Sequence, residues 1–149
     1  MWESTSGEET IVHWGESSEL GFTTFGNAEN STDGHQIHDV HIENLSANTR
    51  YYYKVVTDTL ESGIYDFVTP TASENEASLR LVAMSDMQKD WSNFNKFEEI
   101  INDGIIGYFT EDDSLLLSDV LDLVLIPGDL VDNGLDHTQW GEHFFEPSE

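Results

Sequence analysis

The sequence predicts an antiparallel β-sandwich followed by the first strand–helix–strand portion of a parallel α/β domain. Three observations carry that expectation. In the first half, short apolar runs recur at regular spacing between polar turns, which is the pattern of an antiparallel sandwich. In the second half, two apolar runs without polar alternation flank residues at helical spacing, which is the pattern of a βαβ unit buried on both faces. Between them, Thr71 to Ser78 is rich in Ser, Glu and Asn and reads as a linker. The division therefore falls near Ala72, with one domain over 1–72 and a second over 73–149.

The elements follow in order. Ile11 to Trp14 reads as a strand closed by Gly15, and Gly21 to Phe25 as a second closed by Gly26. Gln36 to Ile42 alternates, with Ile37 facing one way and Val40 and Ile42 the other after a local phase change. Tyr51 to Val56 and Ile64 to Val68 complete the set, with Asp58 and Glu61-Ser62-Gly63 as turns between them. Past the linker, Leu79 to Met84 is a strand of the buried type. Trp91, Phe94, Phe97, Ile100 and Ile101 recur at helical spacing, and Asp103-Gly104 reads as the helix stop. Leu115 to Val120 reads as a further helix started by Asp112, Asp113 or Ser114. Leu121 to Ile126 is again a strand, ended by Pro127-Gly128. His137 to Phe145 reads as a short helix that Pro147 keeps from continuing.

Composition excludes several functions. Of 149 residues, 5 are basic and 30 acidic, giving a net charge of −25. Such a surface repels a phosphate backbone and anionic lipid, so no nucleic-acid scaffold binding is expected. No apolar run is long enough to span a bilayer. The absence of cysteine excludes a disulfide framework, a thiolate zinc site and a cysteine nucleophile. No leader pattern is visible at the start. The excess of Asp and Glu over Lys also suits a protein working in high salt.

Chemistry is expected at the carboxyl ends of the two strands of the second half, where parallel sheets bind their ligands. Leu79 to Met84 runs into Ser85-Asp86-Met87-Gln88, and Leu121 to Ile126 runs into Pro127-Gly128-Asp129. Side by side, the strands bring Asp86 and Asp129 together although 43 positions separate them. Two such carboxylates repel unless cations lie between them, and a pair of divalent ions that polarises a phosphoryl oxygen is one solution. Gly128 would let the backbone pass close to the ions. The competing reading is two Asp residues that cap turns and helix starts.

Val82 to Gln88 and Leu125 to Gly134, which contains Pro-Gly-Asp-Leu-Val-Asp-Asn-Gly, resemble the first two motifs of calcineurin-like metallophosphoesterases. His35 through Val56, with Leu45-Ser46-Ala47-Asn48-Thr49-Arg50-Tyr51, resembles the fibronectin type III-like domain that precedes the catalytic domain of purple acid phosphatases. Ser62 to Thr69 resembles the last strand of that domain. The resemblance implies a hydrolase of phosphate mono- or diesters working with two metal ions, iron, zinc or manganese. It makes Asp86 a ligand of one metal, Asp129 the bridge between the two, and Gln88 a ligand at a position where the general family has His. An amide oxygen is a weaker ligand for iron or zinc than imidazole. Three residues after Asp129, Asp132 stands where the purple enzymes carry their tyrosinate ligand, which sets the resemblance outside the purple subgroup itself. The family completes its site with a Gly-Asn-His-(Asp/Glu) motif and two later His segments. None of these occurs before Glu149, and Met1 to Thr5 resembles the end of an inner strand. The expectation is a fragment of a longer protein, inactive by itself, with the family's extracellular or periplasmic habit. The alternative is a non-catalytic binding module whose phosphoesterase-like half is degenerate.

Other constellations read as structural. His35, His38 and His41 would face different ways on a strand and are taken as polar strand residues rather than a metal cluster. Tyr51, six after Leu45, fits a tyrosine corner, with Tyr53 on its face. Trp91, Phe94 and Phe97 are read as a helix face packed on the sheet. His137 and His143 are read as surface or core residues of their helix. Asn30-Ser31-Thr32 and Asn44-Leu45-Ser46 are glycosylation sequons, meaningful only in a secretory pathway. Glu111-Asp112-Asp113 is read as solvated surface.

Overall fold

The computed structural model describes residues 1–31, 34–110 and 116–148, and the chain divides into two compact units, Met1–Ala77 and Ser78–Glu149. The first is all β: β1 (Trp2–Ser4), β2 (Ile11–Gly15), β3 (Phe22–Phe25), β4 (Asn27–Asn30), β5 (Gln36–Asp39), β6 (Arg50–Thr57), β7 (Leu60–Glu61) and β8 (Tyr65–Val68). β1, β5 and β4 form one sheet in that order. In the other, β3, β2 and β6 lie side by side and β6 takes both β7 and β8, all antiparallel. Trp2 Nε1 donates to Thr57 Oγ1 (2.9 Å), and Thr10 Oγ1 bonds His38 Nδ1 (2.7 Å), so the sheets are tied into a β-sandwich.

β6 anchors this unit. The register sets Val12 opposite Val55 and Trp14 opposite Tyr53 on β2, and Tyr51 opposite Phe67 on β8. Period-two alternation puts Val12, Trp14, Tyr51, Tyr53 and Phe67 on one face. The rings touch there, Trp14 edge-on to Tyr51 (5.7 Å) and Tyr51 stacked on Phe67 (5.9 Å). Tyr51 Oη accepts from Ser46 N (3.0 Å), which closes the tyrosine corner. Burial pushes the Tyr53 hydroxyl above its usual pKa, with Tyr65 and Asp66 adding to the rise.

Several strand limits differ from expectation. The strand begun at Gln36 stops at Asp39, because its partner crosses to the other sheet at Gly26. A Cβ at Gly26 would lie 1.9 Å from Asp39 O and 2.6 Å from Val40 Cγ2, so only glycine permits this crossing. β4, Asn-Ala-Glu-Asn, carries no apolar alternation and is set by its ladder with β5. Glu61, read as a turn residue, is in β7 and pairs with Lys54, which holds its carboxyl below the usual range.

In the second unit, β9 (Leu81–Ala83) and β10 (Leu123–Leu125) pair in parallel, Leu81 with Leu123 and Ala83 with Leu125. Arg80 N donates to Asp122 Oδ2 (2.7 Å) just before the pair, and Met84 N to Leu125 O (3.0 Å) just after it. The expectation of strands buried on both faces is not met. Leu81, Leu123, Val124 and Leu125 are all exposed, since this sheet has two strands and little packs on its faces among the described residues.

The helix expected from Trp91 begins at Lys96 and runs as Lys96–Glu99, a π stretch Ile100–Ile106 and Gly107–Phe109. Trp91 and Phe94 lie before it, 72% and 62% exposed, and only Phe97 of the three aromatic residues is buried in it. The delay has a local cause. Asp90 accepts from Ser92 N (2.8 Å) and Ser92 Oγ (2.6 Å), and Asn93 Oδ1 accepts from Asn95 N (3.2 Å), bonds that hold turns against helix. Asp103-Gly104 does not stop the helix, since the wider π turn carries the backbone through both residues. The next helix is Leu117–Val120. Its expected starters Asp112, Asp113 and Ser114, with Leu115 and the Glu111 cluster, lie outside the described residues, as does Thr32 of the first sequon. The last helix runs from His137 to Ser148, capped by Asp136, whose Oδ1 accepts from Thr138 N (3.1 Å). Pro147 lies within its final turn, at the loss of one backbone hydrogen bond. No helix among the described residues is long and apolar enough to cross a membrane.

Candidate metal centre

The two acid-bearing loops leave the carboxyl ends of β9 and β10 on neighbouring strands. Past Met84 and Leu125 they are joined again, Gln88 N donating to Asp129 O (2.9 Å) and Ser85 Oγ reaching Gly128 O (3.5 Å). Asp86 and Asp129 both adopt left-handed backbone, φ 59° and 56°. Asp tolerates that region better than most residues, at some local cost. A Cβ at Gly128 would meet nothing within 4 Å, so open space adjoins the turn. Among the described residues, neither carboxylate forms an ion pair.

Gln88 turns its side chain inward, and its Oε1 is buried without a hydrogen-bond partner among the described residues. A buried oxygen acceptor left unmatched is costly unless a donor or a cation meets it. Two carboxylates and an amide oxygen offer only oxygen donors, a chemistry that suits a hard cation such as manganese better than a soft one. Asn133 and Gly134 act structurally: Asn133 Oδ1 accepts from Leu135 N (3.1 Å), and Gly134 O from Trp140 Nε1 (3.0 Å).

A cleft of about 390 Å³ opens beside Asp86 and Gln88, lined also by Lys89, Asn95, Phe97 and His143. His143, to which the sequence assigned no role, thus shares a cleft with two candidate ligands. Its Nε2 lies 3.3 Å from Lys89 Nζ, and its Nδ1 is buried without a partner among the described residues. Spacing within the helix could not reveal this, because the contact spans 54 residues.

The three histidines spaced by three have separate partners in the first unit. His38 is fully buried, stacked on Trp2 (4.9 Å, 8°) and bonded through both nitrogens, Nε2 to Ser4 Oγ (2.8 Å) and Nδ1 to Thr10 Oγ1 (2.7 Å). Burial lowers its pKa, against a smaller opposing pull from Asp58. His35 pairs with Glu3 (3.1 Å) and His41 with Asp39 (3.2 Å), so the three-residue spacing gathers no common site.

Fold and site together define a chain with an antiparallel β-sandwich in one unit and acid-bearing loops on a parallel strand pair in the other. Residues 1–69, within the first unit, match the family model described as the purple acid phosphatase N-terminal domain. Searches of curated proteins and of solved structures gave no match.

Proposed function

We propose that the chain belongs to a metal-dependent phosphoesterase. In this reading residues 73–149 are the N-terminal part of a calcineurin-like catalytic domain behind a sandwich over 1–72, and a phosphate mono- or diester is the substrate. Asp86, Gln88 and Asp129 are its metal ligands. The observation that carries the reading is the hydrogen bond from Gln88 N to Asp129 O, which ties the two loops at the carboxyl ends of paired parallel strands. The purple acid phosphatase-type domain over residues 1–69 supports it independently. A location outside the cytoplasm belongs to the same reading.

The residues divide the work simply. The carboxylates of Asp86 and Asp129 supply negative charge, and Gln88 supplies a neutral oxygen from a side chain already turned inward. Two bound ions of iron, zinc or manganese would supply Lewis acidity toward a phosphoryl oxygen. The linked backbones fix the spacing of the loops before any ligand arrives, which lowers the ordering cost of binding.

Manganese or zinc titrated into the chain tests this. Binding is expected in the unaltered chain, weakened at least about ten-fold in Asp86→Asn and in Asp129→Asn, the scale that even outer-shell changes reach. Three candidate ligands are too few for two ions, so binding without hydrolysis of an aryl phosphate is expected from the chain alone. Unchanged metal affinity in both variants, or turnover by the chain alone, overturns the reading. The former would favour a binding module instead.

A further inference from the structure

We propose that Lys89 contacts the phosphoryl oxygens of a ligand held in the cleft beside Asp86. The inference deepens the proposed function and rests on it for the identity of the anion.

The chain has five basic side chains against thirty acidic ones, and four of the five are matched to carboxylates. Arg50 pairs with Asp66, Lys54 with Glu61, Arg80 with Asp122 and Lys96 with Asp90. Lys89 is the exception: among the described residues its ammonium meets no carboxylate. Its neighbours are an imidazole and two aromatic rings. Nζ lies 3.3 Å from His143 Nε2, 4.9 Å from the Phe94 ring centroid and 5.3 Å from that of Trp91. Ring faces attract and orient a cation without cancelling its charge.

An ammonium has only donors, so its bond to His143 makes Nε2 the acceptor and leaves further N–H donors on Nζ. The result is a positioned cation without an ion-pair partner among the described residues, in a cleft of about 390 Å³ that has room for a phosphate ester, on the residue next to Gln88. Carboxylates also line that cleft. Asp90 is answered by two bonds from Ser92 (2.8 and 2.6 Å) and by Lys96 (3.1 Å). Asp86 is a metal ligand in the proposed function. Glu142 and Glu146 also line the cleft, and among the described residues no carboxylate there forms an ion pair with Lys89, so its ammonium keeps donors for an anion.

Acylation footprinting tests the assignment without relying on turnover. The chain, metal-free and manganese-loaded, is treated with an amine-acylating reagent with and without orthophosphate or phenyl phosphate, and modification of Lys54, Lys89 and Lys96 is read by mass spectrometry. Protection of Lys89 in the loaded chain, with Lys54 and Lys96 unaffected, is expected. Lys89→Gln should weaken phosphate binding to the loaded chain at least about ten-fold, the loss of one hydrogen bond to a charged group. Lys89→Arg should retain most of the binding, and manganese affinity should be unchanged in both variants. Equal or absent protection of the three lysines, or phosphate affinity untouched by Lys89→Gln, overturns the inference while the metal titrations stand. Loss of metal binding from the unaltered chain would instead overturn the proposed function.

Discussion

Tyr51 and His38 sit in the same sandwich, yet only one of them was readable in advance. The tyrosine corner is local: Tyr51 Oη takes a hydrogen from Ser46 N, five residues back, and that spacing is visible in a one-dimensional string. Tyr51→Phe is expected to lower stability by about 1 kcal/mol, the net worth of a single hydrogen bond, in urea unfolding. His38 depends on Trp2, Ser4 and Thr10, contacts that no spacing rule connects, so its burial was missed. Burial depresses its pKa below 6.5, so the unfolded chain takes up the proton first as acidity rises. The stability it contributes is complete above the unfolded value of 6.5 and is lost as pH falls through the folded one. A denaturation midpoint that declines across this window, and declines less in His38→Gln, checks the sign. At the candidate metal site both acids were legible as strand-end residues, and the inward turn of Gln88 was not. Gln88→His is expected to raise zinc affinity more than manganese affinity, because imidazole suits the softer ion.

Strand existence was legible wherever apolar residues alternate, as in β2, β3, β6 and β8. It failed where pairing alone makes the strand, as in β4 and β7. Gly26 shows why limits were harder than identities: the ladder ends where a backbone crossing leaves no room for a Cβ. Gly26→Ala is expected to destabilise by about 3 kcal/mol or more, the scale of a forced steric clash, and Gly63→Ala, which faces open space, by less than about 0.5 kcal/mol. Thermal unfolding of the two variants side by side would measure the difference. The helix over 96–109 was legible in type but not in extent, since Asp90 and Asn93 spend their side chains on turns and the π stretch passes through Gly104. Strand burial was misread because unbroken apolar runs show what a strand can bury against, not what covers it.

The two units are joined in one chain carrying a net charge of −25, and self-repulsion on that scale opposes compactness. Raising the salt from about 0.1 M to about 1 M shortens the screening length from about 10 Å to about 3 Å, so the urea midpoint is expected to rise with salt. A midpoint indifferent to salt would refute that. The parallel pair β9–β10 gives the same charge a second task. Its outer edges carry no further strand among the described residues, and Leu81, Leu123, Val124 and Leu125 leave its faces greasy. Such a ribbon is a template for strand addition by a neighbouring molecule, and mutual repulsion keeps neighbours away. Salt that steadies each molecule therefore also removes the barrier between molecules. Colloidal and conformational stability should part company as salt is added, with light scattering rising while the unfolding midpoint still climbs.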